Sequence, residues 1–209
     1  MSNLGKVLMS LGFLLLISLF TLRITGLDPE YMDYTTQEYN ERGRMTLPGL
    51  WLSGEVVKEP IDNWDWVLDV AHPERGNTIM LETQTWYGIP YSVTILPTPR
   101  GKKMYIGGSA RDARLEREFP DYKQWWANVE RDPRVRLKIN GKIYEMTAAL
   151  VHDPLELAEI LGRDAITKAV DKDGNEQMVA KWYYWQVFQR NVAEYWNLVY
   201  QAKKTRLLT

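Results

Sequence analysis

The chain has no cysteine. That excludes disulfides, thiolate nucleophiles, iron–sulfur clusters and zinc sites built on cysteine, and it leaves the redox compartment open. Histidine is nearly absent too. His72 and His152 are the only two, and neither has a second ligand or a carboxylate at metal-binding spacing, so no metal site is expected. His72 precedes Pro73 and His152 leads into a helix start, which makes both local structure. Charge of one sign is missing as well: the net charge is -1, so no nucleic-acid partner is expected. There is no phosphate loop, no dinucleotide fingerprint and no nucleophile-elbow context around Ser109. No internal repeat or low-complexity tract is visible.

What is present is one long apolar run and an unusual stock of aromatics. In 209 residues, 45% of them hydrophobic, there are nine Trp and twelve Tyr. This is enough for one domain with a sizeable core plus an appendage. The appendage is the run 4–22, apolar or small except for Lys6 and three hydroxyls and closed by Arg23. A bilayer core of roughly 30 Å needs about 20 helical residues, which this run reaches if Lys6 and Arg23 snorkel. An uncleaved anchor, a cleaved signal peptide and a greasy soluble helix all remain open, but the segment after Arg23 is a poor cleavage site. The charges around the run lean toward a cytoplasmic N-terminus with the domain outside. The expected division is an anchor over 1–27, a connector over 28–49 with a short helix near 35–44, and a domain over 50–209.

The sharpest pattern lies in 122–151. Tyr122, Trp125, Trp126 and Val129 fall on one side of a helix over 122–130, which Pro133 forbids from continuing. Val135, Leu137 and Ile139 then alternate with polar residues as in a half-buried strand. Asn140-Gly141 supplies the two positive φ angles of a type I′ turn, which predicts an antiparallel return over 142–151. Further strands are expected at 78–85, 91–96 and 103–109, separated by turns at 86–90 and 97–101. Residues 62–68 read as a capped helical turn. Asp153-Pro154 caps a helix to about Leu161, and 171–175 is a loop. The segment 179–200 is either a strand over 181–189 with a short helix after it, or one long helix; the density of aromatic β-formers favours the strand. The whole predicts a mainly β domain with flanking helices, an antiparallel barrel or sandwich.

The run Trp125-x-x-Asn128-Val129-x-x-Asp132-Pro133-x-Val135 resembles the motif of the deazaflavin-dependent nitroreductases, a branch of the flavin-binding split-barrel proteins that includes pyridoxamine-phosphate oxidases. Gly141, Tyr144, Ala148 and Asp153-Pro154-x-Glu156 follow in the family's order, and the resemblance covers roughly 78–162. It implies a split β-barrel and an FMN or deazaflavin cofactor. The chain departs from the family at the first hairpin turn, where Thr85-Trp86-Tyr87-Gly88 stands in place of Gly-Arg-x-Ser-Gly. After Ser109, Ala110-Arg111-Asp112-Ala113-Arg114 replaces a Lys-Gly-Gly run.

From Arg100 to Lys142 there are twelve Lys or Arg against six Asp or Glu. Such a run is either a solvated face or an anion site for a cofactor phosphate. Carried onto this chain, the resemblance makes Tyr87, Ser109, Arg111, Arg114 and Lys123 the candidate cofactor-binding residues, with Trp125 shaping the pocket. Two functions stay open. One is a membrane-anchored oxidoreductase, a homodimer that reduces a small lipophilic acceptor. The other is a cofactor-free accessory subunit of a larger membrane complex that keeps the fold and docks through its anchor and aromatic surfaces. A flavin-type function sits more easily in the cytoplasm, which opposes the charge-based orientation.

Overall fold

The alternating pattern of 134–139 becomes a strand in the middle of a large sheet. The computed structural model describes residues 3–30, 47–71, 78–109, 125–162, 166–170, 176–180 and 182–190. Helix α1 spans Asn3–Thr25, followed by strand β1 at Glu55–Val57 and a single helical turn α2 at Val67–Val70. Strands β2 (Ile79–Gln84), β3 (Pro90–Ile95), β4 (Pro97–Arg100) and β5 (Lys103–Ser109) come next. Helix α3 (Trp125–Arg131), β6 (Arg134–Ile139), β7 (Lys142–Leu150), α4 (Pro154–Leu161), β8 (Ile166–Val170), β9 (Glu176–Ala180) and β10 (Trp182–Gln189) complete the described elements.

The main sheet runs β3-β2-β6-β7-β10-β5-β4, with β1 added beside β7, and forms a mainly antiparallel half-barrel flanked by helices. The β6–β7 hairpin turns at Asn140 (φ 47°) and Gly141 (φ 75°), with Ile139 opposite Lys142, as a two-residue type I′ loop requires. Val135, Leu137 and Ile139 are buried. They join Leu81, Val93, Met104, Ile106, Met146, Trp185 and Val187 in one core, which Trp125 and Val129 of α3 and Trp64 and Val67 near α2 close from outside the sheet. A second, smaller cluster of Tyr105, Val151, Leu157 and Ile160 seats α4. Helix α4 starts where Asp153 accepts a hydrogen bond from Leu155 N (2.9 Å) and stops at Gly162 in the left-handed region.

One expectation needs correction. Residues 97–100 form the edge strand β4, paired with β5, rather than part of a turn. Pro97 and Pro99 are tolerated because an edge strand has one side without a ladder to serve. Strand β1 pairs with β7 in parallel, the one parallel pairing among the described strands of a mainly antiparallel sheet. Residues 171–175, expected as a loop, lie outside the described residues; the strands before and after them, β8 and β9, make a separate two-stranded sheet. Strand β10 lies where the aromatic run 182–188 predicts it, between β5 and β7. The expected helices near 35–44 and after Gln189 fall outside the described residues.

Helix α1 is 23 residues long, with mean hydropathy 2.2 in its most apolar window and none of that window buried, so it is long and apolar enough to cross a membrane. It does not hang from a loose tether. Gly26, at φ 73°, closes the helix by donating to Leu22 O, and the chain then pairs directly with 47–53: Leu27 N donates to Trp51 O (3.0 Å) and Leu50 N to Leu27 O (2.8 Å). Gly49 exchanges two backbone hydrogen bonds with Ser92 on β3 (2.8 and 3.0 Å), and Lys138 of β6 holds Asp28 at 2.6 Å. Leu52, Met80 and Ile143 form a small buried cluster under this strap.

Candidate functional site

Of the expected cofactor residues, the structure describes Tyr87, Ser109 and Trp125. Tyr87 is at the tip of the β2–β3 hairpin, 58% exposed, edge-on to Trp86 at 5.3 Å. Gly88 closes that turn at φ 84°, donating to Thr85 O, with open space where a Cβ would stand. Ser109 ends β5 opposite Trp182. Trp125 opens α3 in the core, 4% exposed and edge-on to Trp185 at 4.8 Å. Arg111, Arg114 and Lys123 lie outside the described residues. The described cations of the basic stretch are largely engaged within the protein. Arg100 donates to Ile160 O (3.0 Å), Lys103 pairs with Glu156 (2.8 Å) and Arg131 donates to Gln84 O. Among the described residues no three His, Asp or Glu side chains gather as metal ligands.

A different place in the fold does gather charge. An open groove of about 590 Å³ is lined by Arg23 at the end of α1, Trp51, the β2–β3 hairpin including Gly88, Asp132, and charged residues of β6, β7 and the end of β10. Its floor follows from strand register. Glu82 on β2 stands opposite Arg136 on β6, and Arg136 stands opposite Glu145 on β7. Arg190, just past β10, donates its backbone N–H to Glu145 O (2.8 Å). Acid and base thus alternate across four neighbouring strands.

Glu82 is 6% exposed. It accepts from Arg136 Nη1 (3.0 and 3.1 Å) and from Leu52 N (2.6 Å), while Arg136 also donates to Leu52 O (3.1 Å). This pair therefore clasps the strap to the sheet. Arg190 donates Nη2 to Val135 O (3.2 Å), and burial pulls its guanidinium below its ordinary value. The Nε atoms of Arg136 and Arg190 are buried without a partner.

On the rim, Arg134 grips Asp132 through two nitrogens, Nε at 2.8 Å and Nη2 at 2.6 Å, in the fork geometry that a carboxylate matches. Those bonds hold the Asp132 carboxyl below its usual 3.8, against the smaller opposing effect of burial. A lowered carboxylate contributes stability that is full above the unfolded value and is lost as pH falls through the folded one. Melting temperature measured from pH 6 downward is expected to fall less steeply in Asp132→Asn than in wild type below about pH 4. Parallel curves would show that the pair contributes nothing.

The groove was not foreseeable from local pattern, since its residues come from six distant segments. One signal was available: Glu82 is a lone acid within the otherwise uncharged strand 79–84.

No protein-family model matches the chain, and no curated protein matches it. Among solved structures, a putative pyridoxamine 5'-phosphate oxidase from Listeria innocua is 14% identical with a TM-score of 0.33, over 55% of this chain and 84% of that one. A conserved hypothetical protein from Mycobacterium tuberculosis is 15% identical with a TM-score of 0.33, over 65% of this chain and 87% of that one. Similarity of that degree assigns neither activity nor cofactor.

Proposed function

We propose that the chain is a membrane-anchored oxidoreductase that holds a flavin or deazaflavin and passes hydride to a small lipophilic acceptor such as a quinone or a nitro compound. The observation that supports this best is the direct passage of an exposed apolar helix into a half-barrel through the strap of hydrogen bonds at 26–30 and 47–53. A domain held that way works at the bilayer surface, where a lipophilic acceptor is concentrated. When bound, the cofactor supplies the hydride chemistry, and the protein supplies binding, orientation and exclusion of water.

The candidate residues fit that group in part. The open backbone at Gly88 beside Tyr87 leaves room for an anionic tail to approach. Trp125, closed in the core, forms a wall rather than a stacking platform. Ser109, Arg111, Arg114 and Lys123 are the remaining residues assigned to the cofactor. A second reading, an accessory subunit of a membrane complex without cofactor, is favoured by the exposed Trp86–Tyr87 pair, a ready aromatic anchor for another surface.

An absorption spectrum of the gently solubilised full chain, read with its apparent mass, separates the two. Flavin or deazaflavin absorbance in a dimer-sized particle is the expected result. A colourless protein that also fails to bind added FMN or deazaflavin overturns the enzyme and leaves the subunit.

A further inference from the structure

The groove raises a separate question, because Arg23, in the last turn of the apolar helix α1, is part of its lining. Arg23 and Lys6 are the only charged residues of α1, and Arg23 sits in its last turn, exposed and without an ion-pair partner among the described residues. Most apolar side chains of α1 are exposed: Leu8, Leu11, Leu15, Leu16 and Phe20 are each about 60% exposed. A helix end of this kind places its arginine at the level of the lipid headgroups.

The β2–β3 hairpin also contributes to the lining through Gly88, and its Trp86, next to Tyr87, is 79% exposed. Trp and Tyr rings belong to that same level of a bilayer. Two independent features therefore set the mouth of the groove at the headgroup layer.

The charges inside say what would enter. Glu82 is spent on Arg136 and Leu52, and Asp132 on Arg134, while Glu145 lies beside Arg190. The lining holds four arginines, Arg23, Arg134, Arg136 and Arg190, against three acids. One positive charge remains, at Arg23, with the partly satisfied guanidinium of Arg190 within the same groove.

We propose that this groove is a phospholipid site, which takes the phosphate ester of an anionic headgroup while the acyl chains run along α1. Arg23 supplies the unmatched cation and Arg190 the second guanidinium. Glu145 faces the same space and repels the phosphate, which sets the phosphate toward Arg23. The inference is independent of which cofactor, if any, the half-barrel holds.

Native mass spectrometry of the detergent-solubilised full chain, titrated with phosphatidylglycerol or phosphatidylcholine, tests it. Phosphatidylglycerol is expected to be retained over phosphatidylcholine, and Arg23→Gln to weaken that retention roughly five-fold, the worth of one cation at an anionic lipid surface. Arg23 is exposed, so this variant folds; Arg190→Gln should weaken retention further, and Trp86→Ala should weaken both lipids alike. Equal retention of the two lipids, or an unchanged Arg23→Gln, overturns the proposal. Inorganic phosphate and FMN form the soluble arms. Displacement of phosphatidylglycerol by either at equal concentration overturns the lipid assignment and makes the groove a site for a soluble phosphate, whereas failure to bind FMN at all bears only on the oxidoreductase.

Discussion

Replacing Glu82 with alanine is expected to lower the stability of the domain by about 3–5 kcal/mol, the usual consequence of removing one member of a buried ion pair. The cause is not the loss of attraction alone. Arg136 would keep its charge with its side chain 19% exposed and its Nε already without a partner, and Leu52 N would lose its acceptor. Glu145, opposite Arg136 on its other flank, offers partial relief. For a chain of this size a kilocalorie shifts the melting temperature by roughly 2–4 °C, so the melt should move by about 10 °C. The double variant Glu82→Leu with Arg136→Met should recover most of it, because an apolar pair of similar volume leaves no charge stranded. A single variant that melts within about 2 °C of wild type would show that the pair is solvated and the clasp is not a stabilising feature.

The second large effect concerns the strap. A Cβ built on Gly49 would run into Leu27 O and stand 2.5 Å from both Pro29 N and Ser92 Oγ, with backbone on two sides and Ser92 fully buried. None of these can swing away as a long side chain would. Gly49→Ala should therefore cost about 1–3 kcal/mol, the range for overpacking a filled site, and should spend it locally by separating 26–30 from the sheet. Hydrogen exchange is the natural readout. The amides of Leu27, Gly49, Leu50 and Ser92 should exchange up to about 100-fold faster, while those of β6 and β7 keep their protection. The control is Gly12→Ala within α1, where nothing lies within 4 Å of the new methyl group and no change is expected. Uniform loss of protection, or none, would contradict a local strap.

The parts of the fold that could be foreseen depend on near neighbours in sequence. The alternation of Val135, Leu137 and Ile139, the Asn140-Gly141 turn and the Asp153-Pro154 cap each fix their geometry within a few residues, and all three stand in the structure. Strand β10 was legible because Trp182 to Phe188 is dense in residues that suit a pleated surface. β4 was hidden because its prolines argue against a strand unless one knows it lies at an edge. The parallel pairing of β1 with β7 was hidden because Val56 and Ile143 meet across most of a domain. The groove was hidden for the same reason: register, not spacing, brings Glu82, Arg136, Glu145 and Arg190 side by side. The expected cofactor residues were drawn from sequence neighbours, and the described ones fall at a hairpin tip, a strand end and a helix start.

The absence of slack between α1 and the sheet has a mechanical consequence. Twenty-three residues of helix measure about 35 Å at about 1.5 Å per residue, and a hydrocarbon layer is about 30 Å thick. Placed across such a layer, the helix leans to shed the excess. In a protein with a floppy tether that lean would stop at the surface. Here Gly26, Leu27 and Asp28 tie the end of the helix to the half-barrel, so a lean of the helix in a thicker or thinner bilayer would turn the whole domain with it.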